Sequence, residues 1–341
     1  MIKELINRFK RIRSEQFLSR TYDAGYAFVG MGQHSLTNLY PVLSYLGIRL
    51  KYVCVTSGAK ARQIERKYPW IKAVTSLDVI LADDDIKGVL VAASPAAHFG
   101  IASQVLRSGK ALFIEKPPCM TSAELESLIA AGGDAEVGLQ KRYSPAVQVL
   151  RTKLGSRADK PLSYELHYVT GAYPEGDALS DLYIHPLDLV CHLFGKAEVL
   201  CIRKTADNDY VLMLDHSGVT GSLELSTGFS WDDARDELKV RTRTGIYTLE
   251  SGGRLSFTAR PAVILGVPLE KIGLAEPREA VLADRNSFSP VLSGNIVYAQ
   301  GFYDEILSFA ERTEGRKADN LSPLESLRDT YSLMELLRKV K

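Results

Sequence analysis

Short apolar segments alternate with helix-length segments through the first part of the chain, and this alternation restricts the fold more than any other feature of the sequence. Residues 25–30 (GYAFVG) and 86–94 (IKGVLVAAS) are apolar runs of strand length, and each is followed by a segment of helical length. Thr121 and Ser122 are suited to cap a further helix. Strands that alternate with crossover helices form a parallel sheet with helices on both faces. The sequence therefore predicts a doubly wound α/β domain in this part of the chain.

A glycine-containing turn directly follows the first predicted strand. The stretch GMGQHS places Gly30 and Gly32 at the first two positions of a GxGxxG pattern. The first glycine allows a tight turn, the second lets the backbone approach a pyrophosphate, and the helix N-terminus that follows offers amide donors. Ser35 replaces the third glycine and is small enough for close helix packing. Together with Gln33 and His34, these residues predict a dinucleotide site in a Rossmann-type domain.

The end of the second predicted strand bears on which dinucleotide binds. An Asp or Glu about 20 residues beyond the glycines pairs with a free ribose 2′-hydroxyl, but the stretch VCVTSGAKAR contains no acid. It offers two hydroxyls and two cations instead, at Thr56, Ser57, Lys60 and Arg62. Hydroxyls and cations suit a 2′-phosphate, which a carboxylate would repel. We expect NADP to be preferred over NAD, the alternative being that Lys60 and Arg62 only form the solvated face of their helix.

A lysine followed by two prolines closes the predicted strand KALFIE. In an open parallel sheet, ligands bind beyond the carboxyl ends of the strands, so Lys116 faces the predicted crevice. Pro117 and Pro118 hold the backbone extended here, because each restricts the residue before it. A solvated surface lysine, the alternative, needs no such rigid support. The pattern predicts a functional lysine held at a defined place.

A polar cluster lies in the segment DLYIHPLDLVCHLFG. Asp181, His185 and Asp188 are spaced i, i+4, i+7 and so fall on one face of a helix. A carboxylate beside an imidazole fixes its tautomer and raises its proton affinity, which suits the removal of a proton from an alcohol. A structural ion-pair cluster is the alternative. A metal site that also uses His192 is not expected, because two helical turns separate the histidines by roughly 10 Å.

The second half of the chain shows a different pattern. Residues 206–228 and 237–257 alternate in the manner of antiparallel strands joined by short turns. Amphipathic helices follow, the last one begun by Ser322 and Pro323. The segment KRY at the start of this half is expected to reach the crevice and to favour an anionic substrate group, although a basic pair is more often simply solvated.

The composition of the 341 residues argues against several other classes of function. Lys and Arg number 42 against 41 for Asp and Glu, a formal charge of +1, so a nucleic-acid partner bound through a basic face is not expected. The four cysteines are scattered without a CxxC pair, which indicates neither a disulfide framework nor a zinc site. Without a membrane-length apolar run or a recognisable signal peptide, a cytoplasmic protein with no membrane partner is expected.

The N-terminal residues carry an amphipathic pattern of their own. Apolar residues recur at helical spacing, with basic residues on the other faces: Ile2, Leu5, Ile6, Phe9 and Ile12. We expect a leader helix within residues 1–22 that packs against the body of the protein or against another subunit. A helix lying on a membrane surface is the alternative.

Three ordered motifs resemble the glucose–fructose oxidoreductase / inositol dehydrogenase (Gfo/Idh/MocA) family. They are SPAAHFGIASQVLRSGKALFIEKP, VGLQKRYSPAVQ and DLYIHPLDLVCHLFG. The resemblance implies a Rossmann domain, here residues 1–140, and an α+β domain with a large, open, mostly antiparallel sheet, here residues 141–341. It also implies a homo-oligomer, dimer or tetramer, and the C-terminal helix is expected to pack back on the first domain.

The resemblance further implies roles for individual residues. Lys116 would lie near the nicotinamide and the reacting oxygen, and His185 would act as the acid/base with Asp181 as its neighbour. The cofactor site would add Ser94, Pro95, His98 and Glu115 to the residues of the glycine turn and the second strand. The substrate site would comprise Lys116, Arg142, Tyr143, Asp181, Tyr183 and His185. Tyr183 stands where relatives often have a small residue, which predicts a reshaped substrate pocket.

The motifs together with the family resemblance favour an NAD(P)-dependent oxidoreductase, and the resemblance implies that it acts on an alcohol or ketone of a sugar, polyol or related small molecule. The cofactor would carry the hydride, while the protein orients the substrate and handles the proton. One alternative is an enzyme that retains its cofactor and uses transient oxidation to modify a sugar. Another is a dinucleotide-binding sensor or partner subunit without turnover, since a fold alone does not establish activity.

Overall fold

The computed structural model describes residues 2–276, 278–284 and 295–340. The strands are β1 (Gly25–Val29), β2 (Leu50–Cys54), β3 (Lys72–Val74), β4 (Ile86–Val91), β5 (Ala111–Glu115), β6 (Ala135–Gly138), β7 (Pro161–Val169), β8 (Glu198–Ala206), β9 (Asp209–Asp215), β10 (Thr220–Ser226), β11 (Arg235–Thr242), β12 (Gly245–Glu250), β13 (Arg254–Ala259), β14 (Val263–Ile264), β15 (Val267–Pro268) and β16 (Glu279–Ala283). The helices are α1 (Ile2–Ser19), α2 (Tyr40–Leu46), α3 (Gly58–Lys67), α4 (Asp78–Leu81), α5 (Pro95–Arg107), α6 (Ser122–Ala131), α7 (Pro145–Leu154), α8 (Ile184–Phe194), α9 (Ile296–Ala299), α10 (Phe302–Thr313) and α11 (Arg328–Lys339). π-Helical turns span Ser35–Leu39 and Leu179–Tyr183, and 3₁₀ turns span Gln140–Tyr143, Leu269–Ile272 and Leu324–Leu327.

The first six strands form one parallel sheet in the order β3-β2-β1-β4-β5-β6. Helices cover both faces, and the central strand β4 accordingly buries Val89, Leu90 and Val91 completely. The direction of strand addition reverses between β1 and β4, and in such sheets a crevice opens at the carboxyl ends of these strands. The predicted doubly wound fold is confirmed.

Two edge strands of this sheet are absent from the sequence prediction. β3 has three residues and β6 has four, which is too short for an alternating pattern to show. β6 also contains Glu136, a charged residue that is completely buried. Arg312 of α10 donates to the Glu136 carboxylate at 2.6 Å and so stabilises it there. Pairing with a neighbouring strand, not local pattern, makes these segments strands.

A second sheet is built from the later strands in the order β16-β13-β12-β11-β7-β10-β9-β8. β7 and β10 pair in parallel, and the other described pairs of this sheet are antiparallel. One face packs against α7 and α8, where Tyr164 and Leu166 are buried. The opposite face leaves Leu200, Val211 and Met213 about half exposed. The predicted α+β architecture with a large, open, mostly antiparallel sheet is confirmed.

The C-terminal helices connect the two halves of the molecule. Ile306 and Phe309 of α10 lie in the core on one face of the first sheet. Leu333 and Leu337 of α11 pack in the core of the second half, whereas Tyr331 joins the core of the first sheet. The last helix therefore contacts both halves. Its first turn is 3₁₀, so the α-helix itself begins six residues after Ser322.

The apolar stripe of the leader helix α1 is exposed to solvent. Exposure ranges from 41% at Ile12 to 79% at Ile2. The expectation that the stripe packs against the body of its own chain is therefore wrong. The chain joins the body beyond the stripe, where Arg20 pairs with Glu311 of α10 at 3.3 Å. Within the described part of the chain, no helix combines the length and apolar character needed to cross a membrane.

Candidate active site

A cavity of about 950 Å³ lies at the carboxyl ends of β1, β2, β4 and β5. Gly30 has φ +83°, and a Cβ at this position would overlap the carbonyl of Ala92, so the turn requires glycine. A Cβ on Gly32 would meet nothing within 4 Å, so its bare backbone faces open space. Ser35 is only 1% exposed and begins the π-helical turn, where a small side chain is needed. The turn has the shape that a dinucleotide pyrophosphate requires.

Most of the predicted cofactor residues line this cavity. They are Gly30, Gly32, Gln33, His34, Ser35, Thr56, Lys60, Ser94, Pro95, His98, Glu115 and Lys116. The cavity thus combines the glycine turn, a hydroxyl and cation beyond β2, and the lysine beyond β5. This set fits a dinucleotide in size and chemistry, and Thr56 with Lys60 is where a 2′-phosphate would be bound.

Ser57 and Arg62 do not line the cavity, which corrects the prediction for these two residues. The Ser57 hydroxyl accepts the backbone N–H of Lys60 at 3.2 Å and so serves as the N-cap of α3. Arg62 is exposed and lies back along its own helix, with Nη1 about 3.6 Å from where a Cβ of Gly58 would stand. Helix capping and helix orientation therefore remove both side chains from the cavity.

Lys116 is held by its neighbours at the end of β5. The peptide bond between Lys116 and Pro117 is cis. His98, only 1% exposed, donates from Nδ1 to the carbonyl of Pro117 at 2.7 Å. Burial lowers the pKa of His98, so its ring is neutral and keeps this donor tautomer. His98 thus fixes the backbone that carries the lysine.

The Lys116 ammonium points across the crevice to the second half of the molecule. Its Nζ donates to the backbone carbonyl of Asp181, within the π-helical turn Leu179–Tyr183. Burial is the main cause that lowers the Lys116 pKa, opposed by the charges of Glu115 and Asp181. Such π-turns are rare and occur often at functional sites. The contact with the Asp181 carbonyl, which no sequence motif indicates, therefore orients the lysine.

Asp181 and His185 lie near one another but do not pair as predicted. The Asp181 carboxylate accepts the Tyr173 hydroxyl at 3.3 Å. His185 Nδ1 is buried without a hydrogen-bond partner among the described residues. The widened π-turn between the two residues changes the angular spacing that a regular α-helix would give.

The charge environment of His185 is also opposite to the prediction. Burial lowers the His185 pKa well below 6.5, and the cationic charges of Lys116 and Lys141 and the nearby His34 lower it further. The expected increase in proton affinity is therefore wrong. A neutral imidazole at neutral pH can still accept a proton, which is the form that a general base requires.

A second cavity, of about 410 Å³, contains His185. Its floor is formed by residues from β7 and the start of β11, and Trp231 and Gln300 line it as well. Lys141 lines it, pairs with Asp236 at 2.5 Å and lies over the ring of Tyr168. Thus the first residue of the KRY segment, not the next two, reaches the crevice.

Three predicted substrate residues lie elsewhere. Arg142 is 2% exposed and donates to both carboxylate oxygens of Asp188, so these two form a buried structural pair. The Tyr143 hydroxyl accepts the backbone N–H of Leu321 at 2.8 Å. Tyr183 is completely buried, and its hydroxyl donates to the carbonyl of Asn208. The structural reading of Asp188 is therefore the correct one, and the expectations for Arg142, Tyr143 and Tyr183 as substrate contacts are wrong.

The two cavities meet at a small group of shared residues. The residues that line both are His34, Glu115, Lys116 and Asp181. His34 Nε2 donates to Glu115 at 3.2 Å, while Asn38 donates to His34 Nδ1 at 3.0 Å. A ligand in the first cavity and a ligand in the second would therefore come together beside Lys116.

Several lining residues are not among the sequence predictions. Thr75 and Leu77 follow the unpredicted strand β3 and line the first cavity. Tyr173 and Glu175 come to the same cavity from the second half of the chain. No periodicity or motif marks these loop positions, although a strand at β3 would have indicated Thr75 by the rule that ligands bind beyond strand ends.

Comparison with known proteins agrees with this geometry. Residues 24–142 match the model of the oxidoreductase family with an NAD-binding Rossmann fold (GFO_IDH_MocA). This match, over about a third of the chain, agrees with the resemblance to the Gfo/Idh/MocA family that the sequence motifs carry.

Relatives and solved structures extend the comparison. The inositol 2-dehydrogenase of Salmonella paratyphi B is 28% identical over 189 residues, which cover 52% of this chain and 55% of that protein. The UDP-N-acetylglucosamine 3-dehydrogenase of Acidithiobacillus ferrooxidans is 32% identical over 137 residues, or 39% of this chain and 42% of that protein. The chain thus spans about half the length of these curated relatives. A crystal structure of a dehydrogenase from Chromobacterium violaceum has the same fold, with a TM-score of 0.77 and 20% identity over 93% of this chain and 95% of that chain.

Proposed function

We propose that this protein is an NAD(P)-dependent oxidoreductase that transfers a hydride between nicotinamide and a CH–OH or ketone carbon of a sugar-like or polyol substrate. The observation that carries the proposal is the junction of the two cavities at Lys116 and Asp181. In this proposal the first cavity is the cofactor cavity, where a bound dinucleotide would supply the hydride acceptor or donor, and the second cavity is the substrate cavity. The similarity to inositol 2-dehydrogenase and to UDP-N-acetylglucosamine 3-dehydrogenase supports a polyhydroxylated substrate.

In this proposal Lys116 binds the oxygen of the reacting carbon. Its ammonium is half-buried and anchored on the Asp181 carbonyl, so it remains close to the junction of the cavities. A cation there stabilises the alkoxide character that develops on the oxygen as hydride leaves. Because the site is partly shielded from water, this stabilisation exceeds that of an exposed lysine.

His185 removes the proton in the oxidative direction. The ring lines the substrate cavity and is neutral at neutral pH, since burial and the nearby cations depress its pKa. It therefore accepts the hydroxyl proton without first having to lose its own. In the reductive direction the same nitrogen returns the proton to the oxygen.

For the cofactor we propose a preference for NADP. Thr56 and Lys60 line the cavity beyond β2, and no carboxylate follows that strand to pair with a free 2′-hydroxyl. Arg62 takes no part, because it does not line the cavity. The preference therefore depends on a single cation.

The test is a fluorescence titration of the purified protein with NADPH and NADH, followed by a turnover screen with polyols, free sugars and nucleotide sugars. NADPH should bind more tightly, and Lys60→Ala should weaken it about 5-fold or more, equivalent to about 1 kcal/mol. Arg62→Ala is the matched control and should change NADPH affinity by less than about 2-fold. Tighter binding of NADH would overturn the NADP preference, and binding of neither dinucleotide would overturn the proposed function.

A further inference from the structure

Residues 171–177, which we call the strap, join β7 to the π-helical turn at Leu179–Tyr183. Two strap side chains, Tyr173 and Glu175, line the cofactor cavity. Together with Asp181 they are its described lining residues from the second half of the chain, whereas the others fall within residues 29–116. The strap therefore closes a side of the cavity that the first sheet leaves open.

The strap is fixed at its start by Trp231. The indole Nε1 donates to the carbonyl of Ala172 at 2.9 Å. Gly171 packs so closely on Trp231 that a Cβ would overlap the indole ring. The ring of Tyr173 contacts the same indole edge to face, with centroids 6.4 Å apart. These contacts hold the first half of the strap in one position.

The strap is fixed again at its end by the turn that carries Asp181. The Tyr173 hydroxyl donates to the Asp181 carboxylate at 3.3 Å, and a Cβ on Gly176 would overlap that same carboxylate. Asp177 accepts the backbone N–H of Leu179 at 3.2 Å and the hydroxyl of Ser180 at 2.6 Å. Tyr173 is thus held between two anchored ends.

Tyr173 lies in one particular half of the cofactor cavity. The end beyond β2, with Thr56 and Lys60, is where the adenosine ribose would bind. Lys116 and Asp181 mark the opposite end, where this cavity joins the substrate cavity. Because the Tyr173 hydroxyl contacts Asp181, its ring lies at the opposite end from Lys60.

We propose that Tyr173 is a cofactor-binding residue that holds the nicotinamide riboside half of the dinucleotide in the cavity. The inference rests on the proposed function and adds a residue to it. Bound dinucleotide leaves this end only when the strap lifts away from Asp181 and Trp231. The strap therefore sets the rate of cofactor release, as loop opening does in many enzymes.

The experiment compares Tyr173→Ala with the parent protein in two binding measurements. Stopped-flow fluorescence measures release of NADPH or NADH, whichever the parent binds more tightly. Titration with 2′,5′-ADP or 5′-AMP then reports the adenosine half alone. Tyr45→Ala is the matched control, because Tyr45 is 50% exposed and does not line the cavity.

Tyr173→Ala should release the dinucleotide about 10-fold faster and bind it about 10-fold more weakly. Affinity for the adenosine fragment should stay within about 2-fold, as should all values for Tyr45→Ala. Tyr173→Phe, which keeps the ring, should lie between the parent and Tyr173→Ala. Trp231→Phe removes the indole N–H donor to Ala172 and replaces the indole that packs on Gly171 and Tyr173 by a smaller ring. It should also accelerate release, which provides a second measurement if Tyr173→Ala fails to fold.

Unchanged release from both Tyr173→Ala and Trp231→Phe would overturn the strap proposal while leaving the proposed function intact. An equal loss of affinity for dinucleotide and adenosine fragment would also overturn it, because the effect would then be general. If the parent protein bound no dinucleotide at all, the proposed function and this inference would fall together.

Discussion

The cofactor cavity and the substrate cavity of this molecule are built in different ways. The cofactor cavity takes most of its lining from short turns that directly follow β1, β2, β4 and β5. The substrate cavity collects residues from the ends of strands and loops as far apart in sequence as His34 and Gln300. Residues in turns that directly follow strands are placed at the cavity by the sheet itself. Residues from distant segments reach the cavity only through the way those segments pack together.

The difference is visible in the two π-helical turns. The turn at Ser35–Leu39 follows the glycines, and the predicted Ser35 stays in the cavity wall. The turn at Leu179–Tyr183 lies between packed elements, and it separates Asp181 from His185 while exposing a carbonyl to Lys116. The first π-helical turn leaves a predicted residue in its cavity, whereas the second one breaks a predicted pairing and places a carbonyl against Lys116.

The largest effect is expected where the two cavities meet. Lys116→Met removes the cation that the proposed mechanism places beside the reacting oxygen but keeps an unbranched side chain, so turnover should fall about 10³-fold. Dinucleotide affinity should change by less than about 3-fold, because the proposed pyrophosphate site at the glycine turn is left intact. Steady-state kinetics and fluorescence titration measure the two quantities. Lys87→Met is the control, because Lys87 is an exposed residue of β4. If Lys116→Met lost as much affinity for the dinucleotide as it lost turnover, Lys116 would act in cofactor binding and not only in turnover.

A somewhat smaller effect is expected within the substrate cavity alone. His185→Gln leaves a polar side chain of similar size but no general base, so kcat should fall about 10²-fold. Cofactor affinity should be unchanged, because His185 does not line the cofactor cavity. His167→Gln serves as control, since His167 lies in β7 and does not line either the cofactor or the substrate cavity. A His185→Gln enzyme with parental kcat would show that another group moves the proton.

Gly32→Ala tests the cofactor cavity alone. A Cβ at this position meets no protein atom within 4 Å, so the free energy of unfolding should change by less than about 0.5 kcal/mol. The added methyl group faces the space that a pyrophosphate would occupy, and dinucleotide affinity should fall about 10-fold. Thermal unfolding and titration measure the two effects. Gly100→Ala is the control, because a Cβ on Gly100 of α5 also meets nothing within 4 Å, and it should leave cofactor binding unaltered. If Gly32→Ala binds the dinucleotide as tightly as the parent protein, the ligand does not approach Gly32.

The smallest effect is a shift in pH dependence. The pKa of His185 lies well below 6.5 because of burial first, then the charges of Lys116 and Lys141. In the proposed mechanism the neutral ring is the base, so alcohol oxidation should lose rate only as the pH falls through this depressed pKa. Lys141→Met removes one repulsive charge, raises the His185 pKa and should move the acid limb of kcat/KM upward by about half a pH unit.

Lys239→Met provides the control for this pH experiment. Lys239 pairs with Glu237 at 2.7 Å, lies on the second sheet and does not line the substrate cavity. Its removal should leave the acid limb in place. If Lys141→Met also leaves the limb in place, the limb reports a group other than His185.

Most of the residues predicted for the cofactor line the first cavity because they lie at or just beyond the ends of strands. Lys116 directly follows the mostly apolar, buried strand β5, and the two prolines after it restrict the backbone. Gly30 needs a positive φ wherever the chain turns sharply after β1. These constraints act over a few residues, so they survive folding unchanged.

Predictions for the substrate half fail where a neighbour distant in sequence claims the side chain. Arg142 was a plausible ligand for an anion, but Asp188 and the carbonyl of Leu321 bind its guanidinium in the interior. Tyr183 donates to Asn208 instead of entering the cavity. A buried polar group must find partners, and the partner that satisfies it is chosen by tertiary packing.

By itself, then, the sequence determined the alternating parallel sheet, the glycine turn, the position of Lys116 beyond β5 and the resemblance to one oxidoreductase family. Only the tertiary structure decided that Lys141 rather than Arg142 lines the second cavity, that cations lie near His185, and that Tyr173 lines the first cavity. The physical reason is the distance along the chain between the residues that interact. Backbone conformation and hydrophobic periodicity are set by neighbours in sequence, whereas burial and charge environment are set by neighbours in space.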